Sequence, residues 1–89
     1  QRQMCIRDRA PAAPVHVLMI PKAHTENIIT AEPELLLYMF GKVKELAEKL
    51  GVNEKGFRIV ANTGDDGGQT VKHLHIHLLG GKALGWPPC

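Results

Sequence analysis

From His73 to Leu78 histidine and aliphatic residues alternate without a break, His73-Leu74-His75-Ile76-His77-Leu78. Successive side chains of a β-strand point to opposite faces, so this period of two sets three imidazoles on one side and Leu74, Ile76 and Leu78 on the other. One face is apolar and the other titratable. The run Val71 to Leu79 is therefore expected as a strand with a covered face and an open one. Upstream, Val15 to Ile20 (VHVLMI) is rich in aliphatic and β-branched residues and stops at Pro21, which suits a buried strand; His16 is its only strongly polar side chain.

The rest of the chain supplies the covering layer. Apolar residues recur at Leu36, Met39, Phe40, Val43, Leu46, Ala47 and Leu50, which is helical spacing. The spacing predicts one helix from about Ala31 to Leu50, with Thr30 as N-cap, Pro33 in the first turn and Gly51 as a left-handed stop. Lys42, Lys44, Glu45, Glu48 and Lys49 on its other side read as a solvated surface. Phe57 to Ala61 (FRIVA) reads as a strand and Asn62 to Thr70 (NTGDDGGQT) as a loop, because three glycines and two aspartates punctuate any regular element. The order β, α, β, β predicts an α+β domain with one principal helix on a mainly antiparallel sheet.

Composition excludes several classes. A chain of 89 residues is one domain at most, with a thin core. Eleven basic and nine acidic side chains give a net charge of +2, too small and dispersed for the basic face that nucleic-acid backbones need. Apolar runs such as Val17 to Ile20 fall far short of the roughly 20 residues of a membrane span. These features predict a soluble protein with neither nucleic acid nor membrane as a partner. Cys5 and Cys89 form no Cys-x-x-Cys pair, which fits a reducing, intracellular and cytoplasmic setting. Gln1 to Arg9 is polar and basic, has no signal-peptide pattern and shares no pattern with the rest of the chain. Residues 1–9 are expected to be foreign-looking or disordered, and residues 10–89 to form the domain.

The five histidines fall in two places, His16 and His24 around the first strand and His73, His75 and His77 along the last. Three readings compete. They could be ordinary half-exposed strand residues. Two of them could bind zinc, but at about 3.3 Å per residue His73 and His77 lie about 13 Å apart, so three cannot reach one ion and a further ligand must come from elsewhere. The third reading is nucleophilic or acid–base catalysis, since neighbours on one face lie about 7 Å apart and can bracket a phosphoryl group. An attacking imidazole must donate its other N–H to an acceptor that fixes the tautomer, a carbonyl or a second histidine. His75, with a histidine on each side, is the natural nucleophile. Gly64, Gly67 and Gly68 would let backbone N–H groups approach an anion, and Gln69 and Thr70 would add side-chain donors.

The segment from Gly68 to Gly81 (GQTVKHLHIHLLGG) resembles the signature of the histidine triad (HIT) family. Lys82 to Pro88 (KALGWPP) is similar to the C-terminus of its Hint branch, and Val15 to His24 resembles the family's strand and following turn. Diadenosine polyphosphate hydrolases share the triad but lack the Gly-Gly followed by Trp-Pro-Pro. The resemblance implies a HIT-like dimeric fold and a purine nucleoside phosphoramidase acting on substrates such as an AMP phosphoramidate. It implies that His75 attacks the α-phosphorus to form a nucleotidyl-histidine, that His16 and His73 support it, and that His77 contacts phosphate or assists the leaving amine. Asn62, Gly68, Gln69 and Thr70, with His75 and His77, would bind the nucleotide. His24 would have a turn or surface role. No metal or organic cofactor is implied, and a homodimer would bring Trp86 near the partner's site. Two departures stand against the pattern: the family's N-terminal strands are expected to be missing or replaced, and Cys89 stands where glycine is usual. Asp8 falls near the position of the family's ribose-binding acid, but that role is not carried over. The alternatives are a nucleotide-binding regulatory module with little turnover and a zinc-binding module.

Overall fold

Alternating burial along two strands organises the molecule. The computed structural model describes residues 4–8, as backbone, and 13–85. Among these the elements run β1 (Met4–Asp8), β2 (Val15–Pro21), α1 (Pro33–Gly41), α2 (Val43–Leu50), β3 (Phe57–Val60) and β4 (Ile76–Gly80). They form a four-stranded sheet in the order β1-β2-β4-β3, antiparallel throughout. The α+β architecture expected from the residue pattern is the one found.

On β2 and β4 every second residue is buried, Val17, Met19 and Pro21 on one and Ile76, Leu78 and Gly80 on the other. The register sets Val17 opposite Leu78 and Met19 opposite Ile76, so the buried sets share one face. Leu35 and Met39 of α1 pack there with Met19, Leu74 and Ile76, while Ala47 of α2 packs with Val17, Val52 and Leu78. Both helices thus cover the same side of the sheet. The close approach at its far end favours glycine, because a Cβ on Gly80 would lie 3.1 Å from Val52 Cγ1.

The helical region departs from the single helix expected over 31–50. The run is interrupted at Lys42, whose N–H reaches back to Met39 O at 3.1 Å, a tightened i→i−3 bond. Gly41, the last residue of α1, has the weak helix propensity that permits such a break. Nor does Thr30 cap the helix. Glu32 is the N-cap, without a side-chain bond, and Pro33 takes the first helical position, where its missing N–H costs nothing. Thr30 Oγ1 instead accepts from the N–H groups of Glu26 and Asn27, closing the turn before the helix. Gly51 ends α2 at φ 74°, as its position implied.

Two strands are shorter than their apolar patterns, and one arises where none was expected. β3 ends at Val60 rather than Ala61, and β4 begins at Ile76 rather than Val71, because the β2–β4 ladder has its last pair at Met19 and Ile76. Beyond that pair the β2 chain turns away at Pro21. Leu74 N–H then bonds the carbonyl of Thr25 at 2.7 Å, outside any ladder. Within the first nine residues, expected to be foreign-looking or disordered, Met4–Asp8 pairs with β2 over Pro21 to Val17. The remainder of that segment, and Trp86 to Cys89, lie outside the described residues. Among the described residues no helix is long and apolar enough to cross a membrane.

Met39 is fully buried between α1 and the sheet, and Leu37, two residues earlier, is 75% exposed. Met39→Ala is expected to cost about 2–5 kcal/mol, and Leu37→Ala to stay within about 0.5 kcal/mol of the parent. Urea denaturation of both variants measures the difference, and equal midpoints would contradict this packing.

Candidate active site

The register that buries Val17 and Leu78 presents the opposite set of side chains on the uncovered face. His16 stands opposite Leu79, and Leu18 opposite His77, so the two histidines are diagonal neighbours across β2 and β4. Their rings meet, His16 Nε2 lying 2.9 Å from His77 Nδ1 with the centroids 5.2 Å apart. On the other side of β4, Arg58 pairs with Leu79 and Val60 with His77. These side chains, Asn62 and residues 82–85 line an open depression of about 400 Å³. Arg58 secures its outer wall by donating from Nη2 to Gly85 O at 2.8 Å.

His75 lies one residue before β4, half-buried, with its ring 5.1 Å from that of His77 and edge-on to it. Its Nδ1 is 2.8 Å from the backbone oxygen of His73. A carbonyl can only accept, so Nδ1 carries the hydrogen and, in the neutral ring, Nε2 keeps the lone pair. This is the fixed tautomer that a nucleophilic imidazole requires, and the acceptor is a carbonyl rather than a second histidine.

The three triad rings do not act as a row. The His73 ring turns away from His75 and donates from Nε2 to Pro21 O at 3.0 Å, with the exposed His24 ring against it at 5.1 Å. His73 therefore serves His75 through its backbone, not its imidazole. The ring of His16 meets His77. His24 keeps the turn position expected of it. Among the described residues no group of three His, Cys, Asp or Glu side chains could hold a metal ion.

The glycine-rich loop is closed on itself. Asn62 Nδ2 donates to Gly67 O at 2.8 Å, Gly68 N–H to Asp65 O at 3.0 Å, and Gln69 N–H to Gly64 O at 3.0 Å. A Cβ at Gly67 would collide with the carbonyl of Thr63, and Gly68 holds φ 78°, so glycine is demanded by geometry at both positions. The N–H groups of Gly64 and Gly68, expected to face an anion, are used inside the loop. Gln69 is buried. Its amide nitrogen donates to Glu26 O at 2.7 Å and Val71 O at 3.1 Å, and its Oε1 accepts from Gly64 N–H at 2.9 Å and Asn27 Nδ2 at 3.3 Å. With both donors and two acceptor positions used, this side chain is not presented to a ligand. Thr70 remains exposed.

Two contributors to the site were not singled out from sequence. Strand alternation in Phe57 to Val60 could have placed Arg58 on the histidine face. The carbonyl of Thr25 left no signal, because every residue has one.

A family model described as HIT domain matches residues 1–84. An uncharacterized HIT-like protein of Synechococcus elongatus is 53% identical over 88 residues, a match spanning 96% of this chain and 76% of that protein. Among solved structures, a HIT family hydrolase from Legionella pneumophila is similar at a TM-score of 0.86 and 44% identity, covering 93% of this chain and 77% of that one. A histidine triad nucleotide-binding protein from Candida albicans is similar at 0.71 and 31% identity, covering 86% and 62%.

Closure of the loop makes Gly67 its most sensitive point. Gly67→Ala is expected to destabilise the protein by about 1–3 kcal/mol, as overpacking does. Gly41→Ala, where a Cβ meets nothing within 4 Å, should stabilise it by about 0.4–1 kcal/mol. Thermal melting of the two variants should move in opposite directions; a neutral Gly67→Ala would show that the loop opens readily.

Proposed function

Because the chain belongs to the HIT domain family, we propose that it is a nucleotide-binding hydrolase of the Hint type that cleaves the P–N bond of purine nucleoside 5′-phosphoramidates, with His75 as nucleophile. The bond from His75 Nδ1–H to the His73 carbonyl carries this reading, since it leaves the Nε2 lone pair for attack. In the first step Nε2 bonds to phosphorus, the P–N bond breaks, and the amine leaves after taking a proton. Water then attacks the nucleotidyl-histidine, the N–P bond breaks, and nucleotide and free His75 are regenerated.

The other residues take supporting roles. His77, beside His75 and bonded to His16, contacts the phosphoryl oxygens or passes the proton to the leaving amine. Asn62 and Thr70 hold the nucleotide, and Gly68 and Gln69 contribute through the loop that they close. A hydrolase name on the Legionella relative and a nucleotide-binding name on the Candida relative support the two halves of the reading. The reading includes a homodimer. It needs no step that a bound metal or organic cofactor would supply.

Incubation of the protein with adenosine 5′-phosphoramidate should release AMP and ammonia, and mass spectrometry of the quenched reaction should find a nucleotidyl adduct on His75. His75→Ala should lose more than the ~10²–10⁴-fold typical of an acid or base, while His77→Ala falls within that range. A His75→Ala enzyme that keeps most of the parent rate would refute the assignment.

A further inference from the structure

The carbonyl that sets the His75 tautomer belongs to a stretch that no strand holds. β4 begins at Ile76, so residues 71–75 lie outside the sheet ladder. They are held by the turn at residues 25–27 and, at His73, by the ring's bond to Pro21 O. Leu74 N–H bonds Thr25 O at 2.7 Å, and Gln69 joins Glu26 O to Val71 O through its two amide hydrogens. The same side chain accepts from Gly64 N–H and from Asn27 Nδ2. Asn27 Oδ1 in turn accepts from the N–H groups of Ile29 and Thr30, which ties the turn to the chain entering α1.

We infer that Gln69 is a positioning residue for the nucleophile: it clamps the glycine loop and the 25–27 turn to the backbone that carries the His73 carbonyl, and so keeps His75 in the Nδ1–H tautomer. Its four partners come from three separate stretches of chain, so no other described side chain replaces it by a small shift. The two donor bonds carry the effect, since they reach Glu26 O and Val71 O, the latter two residues before the carbonyl that His75 uses. A carboxylate in the same place would keep the acceptor bonds to Gly64 and Asn27 but set its charge against both carbonyls. The consequence for His75 is rotation or tautomer exchange, because a displaced His73 oxygen no longer accepts from Nδ1. His16 and His77 sit on β2 and β4 with their own ladder bonds and should be untouched.

The inference rests on the reading of His75 as nucleophile for its catalytic consequence, but its structural half is measurable without substrate. Long-range ¹H–¹⁵N NMR of the histidine rings in the full 89-residue chain should show His75 as the Nδ1–H tautomer. In Gln69→Leu and Gln69→Glu, His75 should become a mixture of tautomers while His16 and His77 keep the tautomers of the parent. With the phosphoramidate as substrate, kcat should fall at least about tenfold in both variants and by a larger factor than KM rises, because the nucleophile is misplaced in addition to any change in the loop. If Gln69→Leu does not fold, Gln69→Glu decides. An unchanged His75 tautomer in a folded variant, a uniform shift of all the histidine signals, or failure of both variants to fold would each overturn the proposal. A parent protein with no turnover but with the expected NMR response would refute the proposed reaction and leave the positioning role standing.

Discussion

The register between β2 and β4 is the constraint on which the rest of the molecule depends. Side chains alternate along a strand with a period of two, so a slip of one residue would exchange the faces. One strand would be turned over: either Val17 and Met19 or Ile76 and Leu78 would meet the open side, and His16 or His77 would be driven toward the helices. The cost of burying an imidazole among Leu35, Met39 and Ala47 without a partner, added to the exposure of two aliphatic side chains, makes this register the stable one. The histidine face and the packed core are thus two faces of a single pairing.

Where that pairing ends, a different kind of order takes over. The ladder stops at Met19 and Ile76, and the chain that carries His73 and His75 continues over a turn. Its position comes from individual hydrogen bonds: Leu74 to Thr25, the His73 ring to Pro21, and the Gln69 amide to Glu26 and Val71. Because Pro21 lacks an N–H it ends the strand, yet its carbonyl remains available and receives the His73 ring. A strand continued through residue 73 would have satisfied that backbone in the ladder. Here the peptide oxygen of His73 is available to accept from His75 instead.

Much of this was legible in the residue pattern. The alternation from His73 to Leu78 revealed the two-faced strand, and burial still alternates from Leu74 to Gly80 although the ladder covers only its second part. The apolar spacing from Leu36 to Leu50 located the helical layer, and Gly51 marked its end. The break at Lys42 was not legible, because it depends on one N–H choosing Met39 over Tyr38, a difference that apolar periodicity does not encode. The composition of the glycine loop suggests an anion cradle. Composition cannot tell whether an N–H points outward or closes a turn on itself, as those of Gly64 and Gly68 do.

By itself the sequence determined which side chains share a face, the chemistry available there and the family to which the chain belongs. These follow from local covalent geometry and residue identity, which need no knowledge of what lies across the fold. The tertiary structure alone decided the partners. His16 meets His77 across 61 residues of chain, the His73 ring finds Pro21 across 52, and Asn27 finds Gln69 across 42. Partners so far apart are selected by packing and by the demand that buried polar groups be satisfied, a property of the whole folded chain. That demand turned Gln69 inward and left His73 to act through its carbonyl, because each group bonds to whichever acceptor the packed chain brings within reach.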